Sequence, residues 1–483
     1  MSVILIRVKL VVILLLCLPL ISIGQNTTLE ECLRIAGENN LSVKQAKSAL
    51  LSSQYNLKAE KKSYLPKVDL LSSYTYLSSP LEVNLQTVRD GIVEGSSRQS
   101  VSAANEVFKE IIGSELPQAA QERIYGLSKT IIGSVYPNYN PSLSRQSYFV
   151  AGLGVRQPIF LGRKLDAAGN LAQSLVTTAE ISVDLINKEV DFVIAAQYLR
   201  ILHLNTLYVK QQLMVDALIR NNNYAQELVK NQILAPYQKS WTNVMLTQAI
   251  SQLNNIKLDQ QNAHLELNKV LGVPLDSGIV ITDTLKYAII APSNPEGDYW
   301  ASNPIYRLAD SKVSYAKTAE KISKSFSLPN IFAVGNYNLY RRDLPLLVPD
   351  WFVGVELQWT LFNGQTRKRT LAARQLIEET KLAGENAKLE IEVLSAVARN
   401  KMISIQNEVA SLDYARKEAQ TTTRLIRERM ENQLSSPKDV NDALLVEIEI
   451  EKGYQLAVFG YYLAAAEYFN SLGKPQQITQ YIK

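Results

Sequence analysis

Apolar and polar side chains alternate strictly over residues 351–360, which predicts a β-strand with two unlike faces. At a rise of about 3.3 Å per residue, the tryptophans at the two ends of the apolar face lie roughly 26 Å apart, close to the height of a membrane-spanning apolar band. The opposite face carries Glu356 and Gln358. A soluble antiparallel sheet can show the same alternation. The apolar, lipid-facing candidates are Trp351, Val353, Val355, Leu357 and Trp359.

The chain contains two copies of one pattern. Residues 40–76 match residues 303–339 without a gap, and three later blocks recur in the same order. Repeats in a fixed order dictate architecture, so we predict an internal duplication. The predicted divisions are a first structural repeat at 25–272, a linker at 273–301, a second repeat at 302–473 and a C-terminal tail at 474–483. The later blocks pair Gly152, Phe160 and Gly162 with Gly354, Phe362 and Gly364, residues 231–236 with 432–437, and residues 271–274 with 472–475.

Each copy predicts a helix, two strands, a very long helix and a shorter helix. Thr28 and Glu31 form a predicted capping box that starts the first helix, and Pro66 ends it. Beyond that proline, and beyond its counterpart Pro329, the apolar period changes to two. The first copy also carries an insertion at residues 77–147. Its many Ser, Gly, Asn and Pro residues predict a long surface loop with a helical turn or two.

The long helices are predicted from two proline-free stretches with apolar residues at alternating spacings of four and three. One stretch follows Pro158 and the other follows Pro349. This spacing predicts helices packed along helices, and a continuous helix of such length would reach roughly 100 Å. The other helices are about half as long, so two of them stacked end to end would match one long helix. We therefore predict four strands and four long helical rods per chain.

Four strands cannot close a barrel, and an open strand edge cannot face lipid. Several chains must therefore combine if the strands enter a membrane. Two chains would supply eight strands around an interior filled by side chains, whereas three would supply twelve and leave room for a lumen. Glu356 and Gln358 are the predicted lumen-facing residues, because polar side chains suit a wet interior.

The first 24 residues predict a secretory signal peptide. Arg7 and Lys9 precede an apolar run at 10–23, and small residues precede a cleavage point before Gln25. An N-terminal membrane anchor is the alternative, although the run is shorter than the roughly 20 residues that a spanning helix needs. No later run of 18 apolar residues follows, so a mature chain that enters a membrane must do so with strands.

Composition and motifs disfavour several other classes of protein. The net charge is only +5 and the basic residues are dispersed, unlike the clustered charge of nucleic-acid-binding proteins. His203 and His264 lack metal-ligand partners at suitable spacing. No phosphate-binding glycine loop, catalytic triad or paired carboxylates stand out. We therefore expect no nucleic-acid partner, no metal, no cofactor and no enzymatic activity.

Several short segments together resemble the TolC-like outer-membrane efflux family across nearly all of the mature chain. The resemblance implies an α+β membrane protein, a homotrimer whose twelve-stranded β-barrel in outer-membrane lipid continues into a twelve-helix α-barrel in the periplasm. It also implies a passive export duct that works with a periplasmic adaptor protein and an inner-membrane transporter. The segments are residues 28–31, 65–66, 157–162 and 361–364, with the Leu-Gly-x-Pro motifs at 271–274 and 472–475.

The turn after each long helix is the predicted adaptor-docking tip. Family members usually carry a glycine followed by a small hydroxyl residue there. In this chain Gln232 and Gln433 occupy the glycine position, and the hydroxyl is present only in the second copy. The predicted docking residues are Asn231, Gln232, Ala235, Pro236, Asn432, Gln433, Ser435, Ser436 and Pro437.

Two other interpretations remain open from the sequence. A periplasmic structural or adaptor coiled coil would use the same helical stripes and would fold its strands as a soluble sheet. A passive porin would share the alternating strands, but porins lack helices of this length. The solubility of the mature chain without detergent distinguishes the coiled-coil alternative from a membrane channel.

Overall fold

The computed structural model describes residues 27–76, 78, 85–135, 147–291, 297–341 and 348–482; the predicted signal peptide at 1–24 lies outside this part of the chain. Within it, no helix is both long and apolar enough to cross a membrane. Two compact units are present, and each is described by itself. In chain order the elements are α1 (Leu29–Asn39), α2 (Leu41–Lys61), β1 (Lys67–Tyr76), α3 (Leu85–Ile112), α4 (Gln118–Val135), β2 (Ser147–Leu161), α5 (Lys164–Lys230), α6 (Pro236–Leu271), α7 (Pro304–Ser325), β3 (Asn330–Tyr340), β4 (Trp351–Gln358), α8 (Gly364–Glu431) and α9 (Pro437–Ser471).

The first unit comprises Met1–Ser52, Thr177–Lys312 and Thr380–Lys483 and contains most of the two long helices. These helices are continuous over 67 residues in α5 and 68 residues in α8, which confirms the prediction from the proline-free stretches. The predicted stripes of both helices face the core, because apolar and small side chains at this spacing pack along a neighbouring helix. The buried stripe positions are Ile194, Ile201, Leu204, Gln211, Val215 and Leu218 in α5, and Ile391, Ser395, Ala398, Met402, Val409 and Ala419 in α8.

Two asparagines make the same junction between short helices. Asn40 accepts hydrogen bonds from the backbone of Ser42 and Val43, which caps α2, and its amide donates to the Val270 carbonyl near the end of α6 at 2.6 Å. Asn303 caps α7 in the same way through Ile305, and its amide donates to a carbonyl at the end of α9 at 2.9 Å. The start of one short helix therefore meets the end of another at both junctions.

Gly272→Ala should destabilise the protein more than Gly473→Ala. Both glycines end a helix with φ +72°, where an alanine costs about 1 kcal/mol. At Gly272 an added Cβ would also lie 2.6 Å from the carbonyl carbon of Asn39, in backbone that cannot rotate away. At Gly473 the nearest atom would lie at 3.5 Å.

We expect Gly272→Ala to lower the free energy of unfolding by about 2–4 kcal/mol, because the clash with Asn39 adds to the strain of a left-handed alanine. Gly473→Ala is the matched control and should lower the free energy of unfolding only by the strain of a left-handed alanine, about 1 kcal/mol. Thermal denaturation of the two purified variants in detergent provides the comparison. Equal melting temperatures would contradict the crowding assigned to the Gly272 junction.

The predicted linker at 273–301 and the chain end pack against the same core. In the linker, Ile281, Leu285 and Ile290 are buried. Tyr461 on α9 hydrogen-bonds both the N–H and the carbonyl of Ile290, at 2.8 and 3.1 Å. A short 3-10 helix at Pro475–Tyr481 adds the buried side chain of Ile478. Both segments therefore belong structurally to the first unit.

The second unit comprises Ser53–Val176 and Val313–Glu379 and contains one antiparallel sheet with the strand order β1-β2-β3-β4. The four predicted strands are confirmed. The strand predicted at 351–360 ends at Gln358, so Trp359 lies just beyond it. There its indole N–H donates to the Ser327 carbonyl at 3.2 Å, beyond the last pair of the β3–β4 ladder, Asn330 with Gln358.

The insertion differs from the predicted loop with a helical turn or two. Its described residues form a helical hairpin of 28 residues in α3 and 18 residues in α4. Arg89 ties the two helices together by donating to the Gly133 carbonyl at 2.7 Å. Serine and glycine are common in α3, and their weak intrinsic helix propensity obscured the helix in the sequence. Tertiary packing of Phe108 and Leu116 stabilises it instead.

Candidate functional site

The apolar face of the sheet is exposed, which is the reverse of a water-soluble sheet. Val353 and Val355, at the middle of β4, are 75% and 71% exposed. β1 shows the same inversion, because its exposed positions are mostly apolar and its half-buried positions mostly polar. A contiguous apolar surface of this kind marks a contact with lipid or with another protein. Its other large members are Val68, Leu70, Tyr74, Tyr76, Tyr337, Leu339, Trp351 and Leu357.

The polar face of the sheet is partly covered. Glu356 is half-buried and pairs with the buried Arg156 of β2 at 3.4 Å. The Arg156 guanidinium lies 3.9 Å from the ring centroid of Phe332 and 5.3 Å from that of Phe108 on α3. Gln358 is also buried. In the single chain, Gln358 is therefore buried and Glu356 is only partly open to water, and Phe108 of α3 supplies part of the cover.

Each long helix ends in the same turn at the predicted tips. After α5, Gln232 N–H donates to Val229 and Ile233 N–H donates to Leu228, at 3.0 and 2.9 Å. This is a Schellman motif, which requires a left-handed residue at its centre. Gln232 has φ +59°, and Gln433, its counterpart after α8, has φ +62°. The left-handed backbone explains why a glycine suits this position in a helix-ending turn.

The second tip repeats these hydrogen bonds but adds a helix cap. Gln433 N–H donates to Met430, and Leu434 N–H donates to Arg429, at 2.9 and 2.8 Å. Ser436 then forms a capping box with Asp439 at the start of α9. The hydrogen bond from the Ser436 backbone lowers the pKa of Asp439.

The predicted docking residues differ in how far they reach solvent. Asn231, Gln232, Ala235 and Pro236 are exposed at the first tip, as are Asn432 and Gln433 at the second. Ser435 and Ser436 are half-buried. Pro437 is buried, and its carbonyl accepts a hydrogen bond from Asn221 at 2.7 Å.

Sequence reasoning missed an apolar residue at each tip. Ile233 and Leu434 follow the left-handed glutamines and are 64% and 67% exposed. Tyr237, on the first turn of α6, is 70% exposed. The signal in the sequence was an apolar residue directly after Asn-Gln in both copies. Both tips therefore expose apolar side chains to solvent.

The histidines have surroundings suited to packing. His203 is half-buried and stacks on Phe459 with 5.0 Å between ring centroids. Burial lowers the pKa of His203 and of His264. Among residues 27–76, 85–135, 147–291, 297–341 and 348–482, no three His, Cys, Asp or Glu side chains are grouped to hold a metal ion.

No family model and no curated protein matches this sequence. Solved structures do match across 92% of the chain. The Campylobacter jejuni CmeC outer membrane channel is 12% identical, with 86% of that chain covered and a TM-score of 0.69. The Vibrio cholerae outer membrane protein VceC is 14% identical, with 96% covered and a TM-score of 0.66. The open Neisseria gonorrhoeae MtrE outer membrane channel is 13% identical, with 89% covered and a TM-score of 0.69. The chain therefore has the fold of the TolC-like outer-membrane efflux channels.

Proposed function

We propose that three copies of this chain form an outer-membrane export channel. The channel conducts substrates passively from a periplasmic adaptor and an inner-membrane transporter to the cell exterior, in an efflux or type I secretion system, and it catalyses no reaction. The observation that carries the proposal is the exposed apolar face of the sheet, with Val353 and Val355 at its centre. Lipid is the solvent in which such a face is stable, provided that every strand edge is paired.

The strand order supports the copy number. β1 and β4 are the outer strands of the sheet, so each chain leaves two edges without a partner strand among its described residues. Pairing β4 of one copy with β1 of the next removes both edges when the ring closes. Eight strands from two copies would be filled by their own side chains, whereas twelve strands leave a lumen.

The duplication belongs to the proposal and is supported by paired details. The Schellman turns at Gln232 and Gln433 use the same hydrogen bonds, and Asn40 and Asn303 join helix ends in the same way. The helices α5 and α8 differ by one residue in length. With two similar halves per chain, twelve helical rods from three copies would form the periplasmic α-barrel. The linker at 273–301 and the tail at 474–483 would form its equatorial band.

The partner surface proposed here is the pair of helix-hairpin tips. Exposed Ile233 and Leu434 flank the left-handed glutamines. Apolar residues on a protruding turn contribute little to the chain's own core, so their presence in both copies favours a protein partner. We propose that this partner is a periplasmic adaptor. Export to the periplasm by a signal peptide at 1–24, with a mature N-terminus at Gln25, is part of the same proposal.

The alternative is a periplasmic structural or adaptor coiled coil. It would need its sheet to turn apolar residues toward a core, and Val355 faces outward instead. The deciding experiment is fractionation followed by mass measurement in detergent. We expect the chain in the outer membrane, with a mass of three copies. Recovery from soluble periplasm without detergent would support the alternative, and a stable monomer at high concentration in detergent would contradict the trimer.

A further inference from the structure

The hairpin of α3 and α4 lies along the polar face of the sheet. Gln99 of α3 donates a hydrogen bond to Ser73 of β1. Eleven residues later, Glu110 pairs with Lys67 at the start of β1 at 3.0 Å. The helix therefore runs antiparallel to β1, on the face opposite to Val68 and the other exposed apolar side chains.

Both helices of the hairpin are anchored on this face by an apolar cluster. Phe108 of α3 and Ala120 of α4 pack with Leu161 of β2 and Phe332 of β3. Leu116, in the turn of the hairpin, is 2% exposed, and its N–H donates to Asn105 at 2.6 Å. The contacts include side chains from three strands, so the hairpin is a packed layer on the sheet.

A closed barrel has no room for three such layers. Twelve strands about 4.8 Å apart and tilted by about 40° form a cylinder of about 12 Å backbone radius. Its cross-section is about 450 Å², and the side chains that line the wall occupy part of it. A helix with side chains is about 10 Å across, so the six helices of three hairpins need about 470 Å². The hairpin packing and the closed barrel therefore exclude each other.

We propose that the hairpin is an assembly switch, which covers the polar face of the sheet in the unassembled chain and leaves it when three chains close the barrel. The inference rests on the proposed trimeric channel. In the covered state the hairpin prevents premature closure, because the sheet cannot curl around it. Its departure exposes the polar face, including Glu356, to the water of the lumen.

In the covered state, one buried polar group lacks a hydrogen-bond partner within the described part of the chain. Departure of the hairpin would allow water to bind it. Arg156 is 6% exposed, and its Nε has no hydrogen-bond partner among the described residues. Its charge is paired with Glu356 at 3.4 Å, and a buried ion with an unmet donor is costly. When α3 leaves, Phe108 no longer covers the guanidinium, and water reaches it. Hydration of Arg156 therefore offsets part of the free energy that is needed to expose Phe108 and its apolar neighbours.

A reversible tether tests the switch. Gln99→Cys and Ser73→Cys form the tether pair, because their native side chains touch between α3 and β1. A short bifunctional methanethiosulfonate reagent joins the two thiols and dithiothreitol releases them. Cys17 lies in the proposed signal peptide and is absent from the mature chain. Cys32 stays, because it is fully buried and burial raises its pKa to about 12, which leaves almost no reactive thiolate.

The mature chain, from Gln25 onward, is refolded in dilute detergent, treated with the reagent and then concentrated to allow assembly. We expect the tethered chain to remain monomeric and to form trimers after dithiothreitol is added. Crosslinking yield should be at least tenfold lower in trimers that formed before treatment. The matched control joins Arg89→Cys to Gly133→Cys, which links α3 to α4 without touching the sheet, and it should assemble like the untreated protein.

The outcomes separate this inference from the proposed function. Trimers that form with the Gln99–Ser73 tether intact, or equal crosslinking in monomer and trimer, would overturn the switch and leave the channel standing. Failure of the untreated protein to form trimers would overturn the channel itself.

A second variant replaces residues 85–135 with a short Gly-Ser linker; we expect it to assemble at a lower protein concentration than the wild type. A requirement for the hairpin in assembly would also contradict the switch.

Discussion

Val355→Arg should abolish assembly of the protein in the outer membrane. Val355 lies at the middle of β4 on the exposed apolar face and is 71% exposed in the single chain. An arginine at the bilayer midplane of a barrel costs about 2–4 kcal/mol, and a trimer would carry three of them. We expect trimer in the outer-membrane fraction to fall below a tenth of the wild-type amount. Quantitative immunoblotting of membrane fractions measures the loss.

Asn336→Arg is the charged control for this experiment. Asn336 lies on β3 and faces the opposite, polar side of the sheet, where its amide donates to Asn338 at 3.0 Å. An arginine there would face the lumen, so assembly should be retained and ion conductance in planar bilayers should change. Val355→Leu controls for side-chain size and should assemble normally. Equal loss from Val355→Arg and Asn336→Arg would show that the two faces of the sheet are assigned wrongly.

Export should be lost when both helix tips carry a bulky charge. Gln232→Arg combined with Gln433→Arg keeps an unbranched side chain at each left-handed position, so the Schellman turns should persist. The two guanidinium groups would be buried against the adaptor beside Ile233 and Leu434. A buried charge without a partner is strongly unfavourable in an interface. We expect transport by the intact system to fall at least tenfold, while trimer yield and channel conductance stay unchanged.

The control for the tips is Gln232→Gly combined with Gln433→Gly. Glycine adopts the left-handed conformation without strain, so this pair removes the side chains and keeps the turns. Export by the glycine variant should remain near the wild-type level if the apolar tip residues make the contact. Normal export by the double-arginine variant would show that the tips only reverse the chain direction and do not bind an adaptor.

Patterns that depend on near neighbours in the chain were readable from the sequence. Alternation at 351–360 predicted β4 because successive side chains of a strand point to opposite faces. The four-three spacing that includes Ile391 and Met402 predicted the buried stripe of α8, because a helix brings such residues to one side. Pro236 and Pro437 begin α6 and α9, and this too is a local effect, because the fixed φ of proline suits the first position of a helix.

The predicted sites were readable only in part. The sequence located the tips, because Asn-Gln followed by proline recurs in both copies. It did not show that Gln232 and Gln433 are left-handed, since backbone conformation there follows from the hydrogen bonds of the whole turn. It identified Glu356 as part of a polar face, but alternation does not show which residues cover that face in the single chain.

By itself, the sequence determined the local elements of this protein, namely the strands, the long helices and the two similar halves that we propose as a duplication. The spacing of apolar residues that predicts each strand or helix lies within one contiguous segment and does not depend on residues far away in the chain. The tertiary structure alone decided where the insertion goes. Phe108 is helical and buried only because it meets Leu161 and Phe332, which follow it by tens and hundreds of residues. Contacts over such separations leave no period in the chain, so the covered polar face could be seen only in the folded molecule.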